Sequence, residues 1–191
     1  KNILIAERVA LNFLSHISGI ATKTNEFVKL AGKKTKICCT RKTIPNLRSI
    51  QKYAVKLGGG TNHRFNLSDE FLIKDNHIDF SGGISNAIQK TKPYLSEINK
   101  NLDIVVEARN LVEVNEILEE GGIKRILLDN FDYEITRKAV EIIGNKCQTE
   151  SSGGITEKTI IEYAKCGINY ISVGALTHTV KNFDMSLKVL K

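Results

Sequence analysis

An incomplete α/β barrel of parallel strands is the fold this sequence predicts, and three observations predict it. Six times a short apolar run ends in a polar cluster and a helix-like stretch follows. The helical stretches are short, start near capping or acidic residues and stop at glycines, as βα units do. The 191 residues, 41% of them hydrophobic, fit one domain with a substantial core.

In chain order, residues 7–31 place Val9, Leu11, Phe13, Leu14, Ile17, Ile20, Ala21 and Val28 at helical spacing, which predicts one or two helices before the first strand. Gly19 within them marks a kink or a close packing contact. Lys36, Ile37, Cys38 and Cys39 form the first strand-like run, ending in Thr40, Arg41 and Lys42. Pro45 then suits a first helical turn, and a helix from Leu47 to Leu57 stops at Gly58, Gly59 and Gly60, delivering the chain to His63 and Arg64. Phe71, Leu72 and Ile73 run into Lys74, Asp75, Asn76 and His77. Ile104, Val105 and Val106 run into Glu107, and Ile126, Leu127 and Leu128 into Asp129 and Asn130. Cys147, Gln148, Thr149 and Glu150 lead to Ser151, Ser152, Gly153 and Gly154; Tyr170, Ile171, Ser172 and Val173 lead to Gly174. Helices are predicted at 84–92, 110–120, 133–143 and 156–166, with Gly121, Gly122 and Gly167 as stops. Residues 182–191 alternate well enough for a strand, although a lone terminal strand needs a sheet to join. Ser-Gly-Gly-Ile occurs twice, at Ser81 and at Ser152; only the second follows a strand-like run, so the first reads as a turn into a helix.

In a parallel barrel the strand ends meet on one face, where such folds carry chemistry. There Arg41, Lys42, His63, Arg64 and Lys74 crowd positive charge that a polyanion must neutralise. Glu107 and Asp129 suit either Mg²⁺ on that polyanion or the hydroxyls of a sugar. Ser152, Gly153, Gly154 and Gly174 are of the kind that wrap a phosphate. A phosphorylated sugar satisfies both halves. His16 and His77 lack such company and read as structural.

The formal charge of +7 would suit nucleic acid, but the lysines are scattered without interleaved aromatics, so no nucleic-acid partner is expected. The four cysteines form neither a metal pair nor a disulfide framework, and read as reduced residues of a cytoplasmic protein. No apolar run approaches the ~20 residues of a membrane span, so no membrane association is expected. A start at Lys1, with Met185 the sole methionine, reads as a fragment of a longer chain.

The motifs Glu7-Arg8-Val9-Ala10-Leu11-Asn12, Ser18-Gly19-Ile20-Ala21-Thr22, Thr40-Arg41-Lys42-Thr43, Gly58-Gly59-Gly60-Thr61-Asn62-His63-Arg64, Leu72-Ile73-Lys74-Asp75-Asn76-His77, Leu128-Asp129-Asn130, Ser152-Gly153-Gly154 and Gly174-Ala175-Leu176-Thr177-His178 occur in that order. Together they resemble the quinolinate phosphoribosyltransferase family, over essentially the whole chain. The resemblance implies a barrel of the type II phosphoribosyltransferase kind at 36–180. It also implies that residues 1–35 link to an absent N-terminal α/β sandwich domain, and that 181–191 form a strand returning to that domain. The implied reaction is Mg²⁺-dependent transfer of phosphoribose from phosphoribosyl pyrophosphate to quinolinate, giving nicotinate mononucleotide, pyrophosphate and CO₂, a step of NAD biosynthesis.

By position in the motifs, Arg41, His63, Arg64 and Lys74 would meet the quinolinate carboxylates, with Lys42 and Lys74 sharing the pyrophosphate. Glu107 and Asp129 would face ribose and metal; with Lys42 and Lys74 they form the implied catalytic set. Ser152, Gly153, Gly154 and Gly174, with His178 nearby, would hold the 5′-phosphate, and Thr40, Val173 and Ala175 complete the implied binding set. Arg8 would reach a neighbouring subunit's site in a homodimer or hexamer. Cys39 stands where the motif commonly has aspartate, and Val105 where an acidic residue is usual. The alternatives are a nicotinate-using or molybdenum-transport-associated relative, or an inactive phosphate-binding barrel.

Overall fold

The computed structural model describes residues 2–97 and 102–189. Its centre is a seven-stranded, all-parallel sheet in the order β2-β1-β7-β6-β5-β4-β3. The strands are β1 (Lys36–Cys39), β2 (Thr61–Asn62), β3 (Phe71–Ile73), β4 (Ile104–Ala108), β5 (Arg125–Asp129), β6 (Gln148–Ser152) and β7 (Tyr170–Ser172). Among the described residues β2 and β3 do not pair, so the barrel stays open between them.

The helices are α1 (Asn2–Ala31), α2 (Arg48–Leu57), α3 (Asp75–Ser81), α4 (Ile84–Glu97), α5 (Leu111–Glu120), α6 (Tyr133–Ile143), α7 (Ile160–Lys165) and α8 (Ala175–His178). Side-chain caps start two of them: Asn110 Oδ1 accepts the Glu113 N–H at 3.0 Å, and Asp132 Oδ1 accepts that of Ile135 at 2.8 Å. Their apolar faces meet the outer face of the sheet in one core that includes Phe27, Ile37, Ile73, Ile88, Val106, Ile117, Leu128 and Ile171. Each such side chain, fully buried, contributes about 1.5–3 kcal/mol.

The residues facing into the barrel follow from register. With a side-chain period of two, Arg125, Leu127 and Asp129 share a face of β5, as do Gln148, Glu150 and Ser152 of β6. Leu127 pairs with Glu150 and Asp129 with Ser152, so these positions stack in layers. The middle layer divides into an apolar side of Leu72, Val105 and Leu127 and a polar side where Glu150 meets Ser172. Below, the Arg125 guanidinium lies 3.9 Å from the Tyr170 ring centroid and donates to Glu150 at 2.7 Å.

Some sequence expectations hold and others need correcting. The first helix is continuous, and Gly19 is a packing contact: a Cβ there would lie 2.5 Å from the Lys181 carbonyl oxygen. Pro45 precedes α2, whose first residue is Arg48. α4 runs past Pro93 to Glu97, keeping Leu95 against the core, and α7 is shorter than expected. Of the expected strand at 182–191, residues 182–189 form no strand and the last two lie outside the described residues. The start of this segment instead touches α1. Ser15 donates to the Phe183 carbonyl, and His16 Nδ1 meets Asn182 Oδ1 at 3.0 Å. The membrane expectation also needs correcting, because among the described residues α1 alone is long and apolar enough to cross a membrane by length and composition. Its buried residues, Ser15, Gly19, Ile20, Thr24, Phe27 and Ala31, run from its middle to its C-terminal end, and the helix packs on α2, α7, α8 and β1.

Candidate active site

The C-terminal ends of the strands surround a cavity of about 750 Å³. Fourteen of the sequence-predicted residues line it: Thr40, Arg41, Lys42, His63, Arg64, Lys74, Glu107, Asp129, Ser152, Gly153, Gly154, Gly174, Ala175 and His178. Val173 does not, because the residue after Ser172 turns the other way and is buried in the core. Arg8 does not either; it lies exposed on the N-terminal half of α1.

On one side of the cavity the cations gather. Arg41 lines it with its buried Nε lacking a hydrogen-bond partner among the described residues. Burial and then the charge of Arg41 hold the Arg64 guanidinium below its ordinary pKa, which marks two arginines facing one space. Arg64 is braced by the Glu70 carbonyl, which accepts from Nη1 at 3.1 Å. His63 Nδ1 accepts the Arg64 backbone N–H at 2.9 Å, leaving Nε2 to face Glu150 Oε1 at 3.5 Å. Lys74, half exposed, donates to Glu107 Oε2 at 3.2 Å. Burial pushes the Glu107 carboxyl up, Lys74 opposes that and Asp129 adds to it.

The opposite side is already tied together. Asp129 accepts from Ser152 Oγ through Oδ1 and from Asn130 Nδ2 through Oδ2, both at 2.7 Å. Asn130 sits in the left-handed region at φ 57° and its N–H bonds the Ser152 carbonyl at 2.9 Å. Gly153 closes over it at φ +98°, so near that a Cβ would lie 2.0 Å from Asn130 Oδ1. The turn therefore requires glycine twice, for its φ and for its space.

Sequence reasoning passed over Glu150 and Ser172, which complete the cavity floor. Glu150 is fully buried. Burial alone would push its carboxyl up, but His63, Ser172 and Arg125 together outweigh that and hold it below the usual carboxylate range. A carboxylate inside a strand of a parallel sheet needs partners, and that was the available signal. His77 accepts the Lys74 backbone N–H at 3.0 Å and His16 meets Gln51 at 2.8 Å, so both serve local structure.

Comparison with known proteins gives the same architecture. Residues 20–188 match the family described as quinolinate phosphoribosyl transferase, C-terminal domain. This chain belongs to that family. It is 48% identical to the probable carboxylating nicotinate-nucleotide pyrophosphorylase of Methanocaldococcus jannaschii, covering all of this chain and 69% of that protein. It is 45% identical to the chloroplastic carboxylating nicotinate-nucleotide pyrophosphorylase of Arabidopsis thaliana, over 98% of this chain and 58% of that one. The crystal structure of NadC from Streptococcus pyogenes superposes with a TM-score of 0.91 at 42% identity, over 98% of this chain and 65% of that one. The chain thus spans roughly three fifths of the length of the plant relatives it matches.

Proposed function

We propose that this chain carries the catalytic barrel of a quinolinate phosphoribosyltransferase, joining quinolinate to phosphoribosyl pyrophosphate. The observation that carries the reading is the buried Nε of Arg41, partnerless among the described residues, beside Arg64 in one cavity: two guanidiniums face the same space with no described carboxylate within 4.0 Å of either. A planar dicarboxylate supplies anionic oxygens to Arg41, Arg64 and Lys74 by charge-assisted hydrogen bonds. The loop of Ser152, Gly153 and Gly154 takes the sugar's 5′-phosphate, and Glu107 and Asp129 accept from the ribose hydroxyls between the two.

Held this way, the pyridine nitrogen donates its lone pair to C1′ as the C1′–O bond breaks and its electron pair leaves with pyrophosphate, whose charge Lys42 and Lys74 stabilise. The alkylated ring is then an electron sink. The bond to the adjacent carboxylate breaks, CO₂ departs, and the ring carbon takes a proton from water. The barrel's contribution is geometry and charge, and no side chain is assigned as a base.

Glu107 and Asp129 are a donor set that fits Mg²⁺, which takes few protein carboxylates and fills its remaining positions with water and phosphate oxygens. Both line the cavity, Glu107 next to Asp129 in its electrostatics, and these are the two that would hold it. When bound it supplies charge neutralisation on the pyrophosphate. A site for a neighbouring copy's Arg8 belongs to the same reading, supported by that side chain's exposure on α1, as does a cytoplasmic location, supported by four free thiols.

Calorimetric titration of the chain with quinolinate, nicotinate and phosphoribosyl pyrophosphate tests the reading. Selective quinolinate binding is expected. Equal or tighter binding of nicotinate would shift the assignment to a nicotinate-using relative, and binding of the phosphoribosyl donor alone would leave an inactive phosphate-binding barrel.

A further inference from the structure

Lys52 on α2 is 2% exposed, and no carboxylate among the described residues lies within 4.0 Å of its ammonium. Its Nζ donates instead to the His63 carbonyl at 2.8 Å and to Cys39 Sγ at 3.2 Å. Cys39, itself fully buried, donates through Sγ to Asn62 Oδ1 at 3.3 Å. These four residues tie α2, β1, β2 and the start of the Arg64 loop into one polar knot behind the cavity wall.

Stability does not explain the knot. An ammonium buried without a counter-charge is costly, and an apolar side chain of similar volume is often as stable or more so in such a place. What the knot fixes is backbone. β2 is two residues long, pairs only with β1 among the described strands and borders the opening of the barrel, so its own ladder holds the segment weakly. His63 and Arg64 follow it directly.

We propose that Lys52 is a positioning residue for the dicarboxylate side of the cavity: by holding the His63 carbonyl, with Cys39 as second anchor, it sets where the Arg64 guanidinium stands. The identity of the dicarboxylate rests on the function proposed above; the positioning of His63 does not.

The test compares the chain with its Lys52→Met and Cys39→Val variants by NMR of the histidine ring resonances without ligand, by thermal unfolding, and by titration with quinolinate and with inorganic phosphate. In Lys52→Met the His63 ring signals should move while those of His77 and His178 stay. Quinolinate affinity should fall about tenfold, the effect of losing one buried hydrogen bond to a charged group, with phosphate affinity kept within about twofold. Cys39→Val, which removes the second anchor and the Asn62 bond but keeps the Lys52 bond to the His63 carbonyl, should change the same readouts in the same direction and by less. Unchanged His63 signals in Lys52→Met would overturn the proposal, and so would equal weakening of phosphate and quinolinate, which marks general loosening. Should the unmodified chain bind phosphate but no quinolinate, the dicarboxylate reading fails, and a selective shift of His63 in Lys52→Met still establishes the positioning.

Discussion

The two sides of the cavity solve opposite problems with similar means. Around Arg41, Arg64 and Lys74 cations crowd together, and one guanidinium nitrogen, Arg41 Nε, is buried with no hydrogen-bond partner among the described residues. Around Asp129, Ser152 and Gly153 both carboxylate oxygens are already bonded, and the Asn130 N–H holds the Ser152 carbonyl. On the proposed reading the first side awaits an anion, and the second is a preformed cradle that presents backbone to whatever docks. Specificity should therefore reside in the cations, and affinity for phosphate in the preformed turn.

The sharpest way to break that division is Arg64→Ala. Truncating one member of a desolvated charge pair costs about 2–5 kcal/mol, so quinolinate affinity should fall about a thousandfold. Phosphate binding should persist, because the turn of Ser152 to Gly154 has no bond to Arg64. Titration of the variant with both ligands measures the split. Parallel loss of both would mean that the sides are one cooperative unit.

Glu150 lies beneath both sides, facing His63 on one and Ser172 on the other while pairing with Arg125. Glu150→Gln keeps the shape and removes the charge, leaving Arg125 buried without its anion, for which about 3 kcal/mol of stability should be lost at neutral pH. The pH dependence has a defined sign. Because the folded protein holds this carboxyl below its usual range, the unfolded chain binds its proton first on acidification. The stabilisation is complete above the unfolded value near ~4.3 and fades as pH falls through the folded one. Urea melts should thus show the variant's deficit in full at pH 7 and shrinking below about pH 4; a deficit constant with pH would assign the loss to packing.

How far the sequence exposes this arrangement depends on what sort of signal each part carries. Strands β1, β3, β4, β5, β6 and β7 announce themselves because an apolar run must end where the chain leaves the core, and their polar ends named most of the rim. β2 carries no such pattern: two residues of it pair with β1, and only the fold brings them there. α3 hides within the polar cluster after Lys74, and α8 within the motif after Gly174, since four to seven residues show too little periodicity. Glu150 and Arg125 are visible as charges inside strands, yet their meeting depends on the register of β5 with β6, which is not local information. Lys52 is the hardest case, for a lysine on an amphipathic helix normally faces water, and its burial follows from where the fold sets α2, with Nζ reaching Cys39 of β1 and the His63 carbonyl just after β2.

The finished side can be tested by the smallest change available, Gly153→Ala. At φ +98° an alanine is strained by roughly 1–2 kcal/mol, and its Cβ would overlap Asn130 Oδ1, which cannot retreat without giving up its place beside Asp129. The turn must then open, and the Asp129–Ser152 bond that shapes it should loosen. Stability should fall by about 2 kcal/mol and phosphate affinity by about tenfold, with quinolinate affinity kept within about threefold, since Arg41, Arg64 and Lys74 stand in the segments after other strands. Denaturant melts and the same pair of titrations decide it. If phosphate binds as before while quinolinate weakens, the cradle and the cation cluster have been assigned to the wrong ligands, and the donor's pyrophosphate becomes the anion that the arginines await.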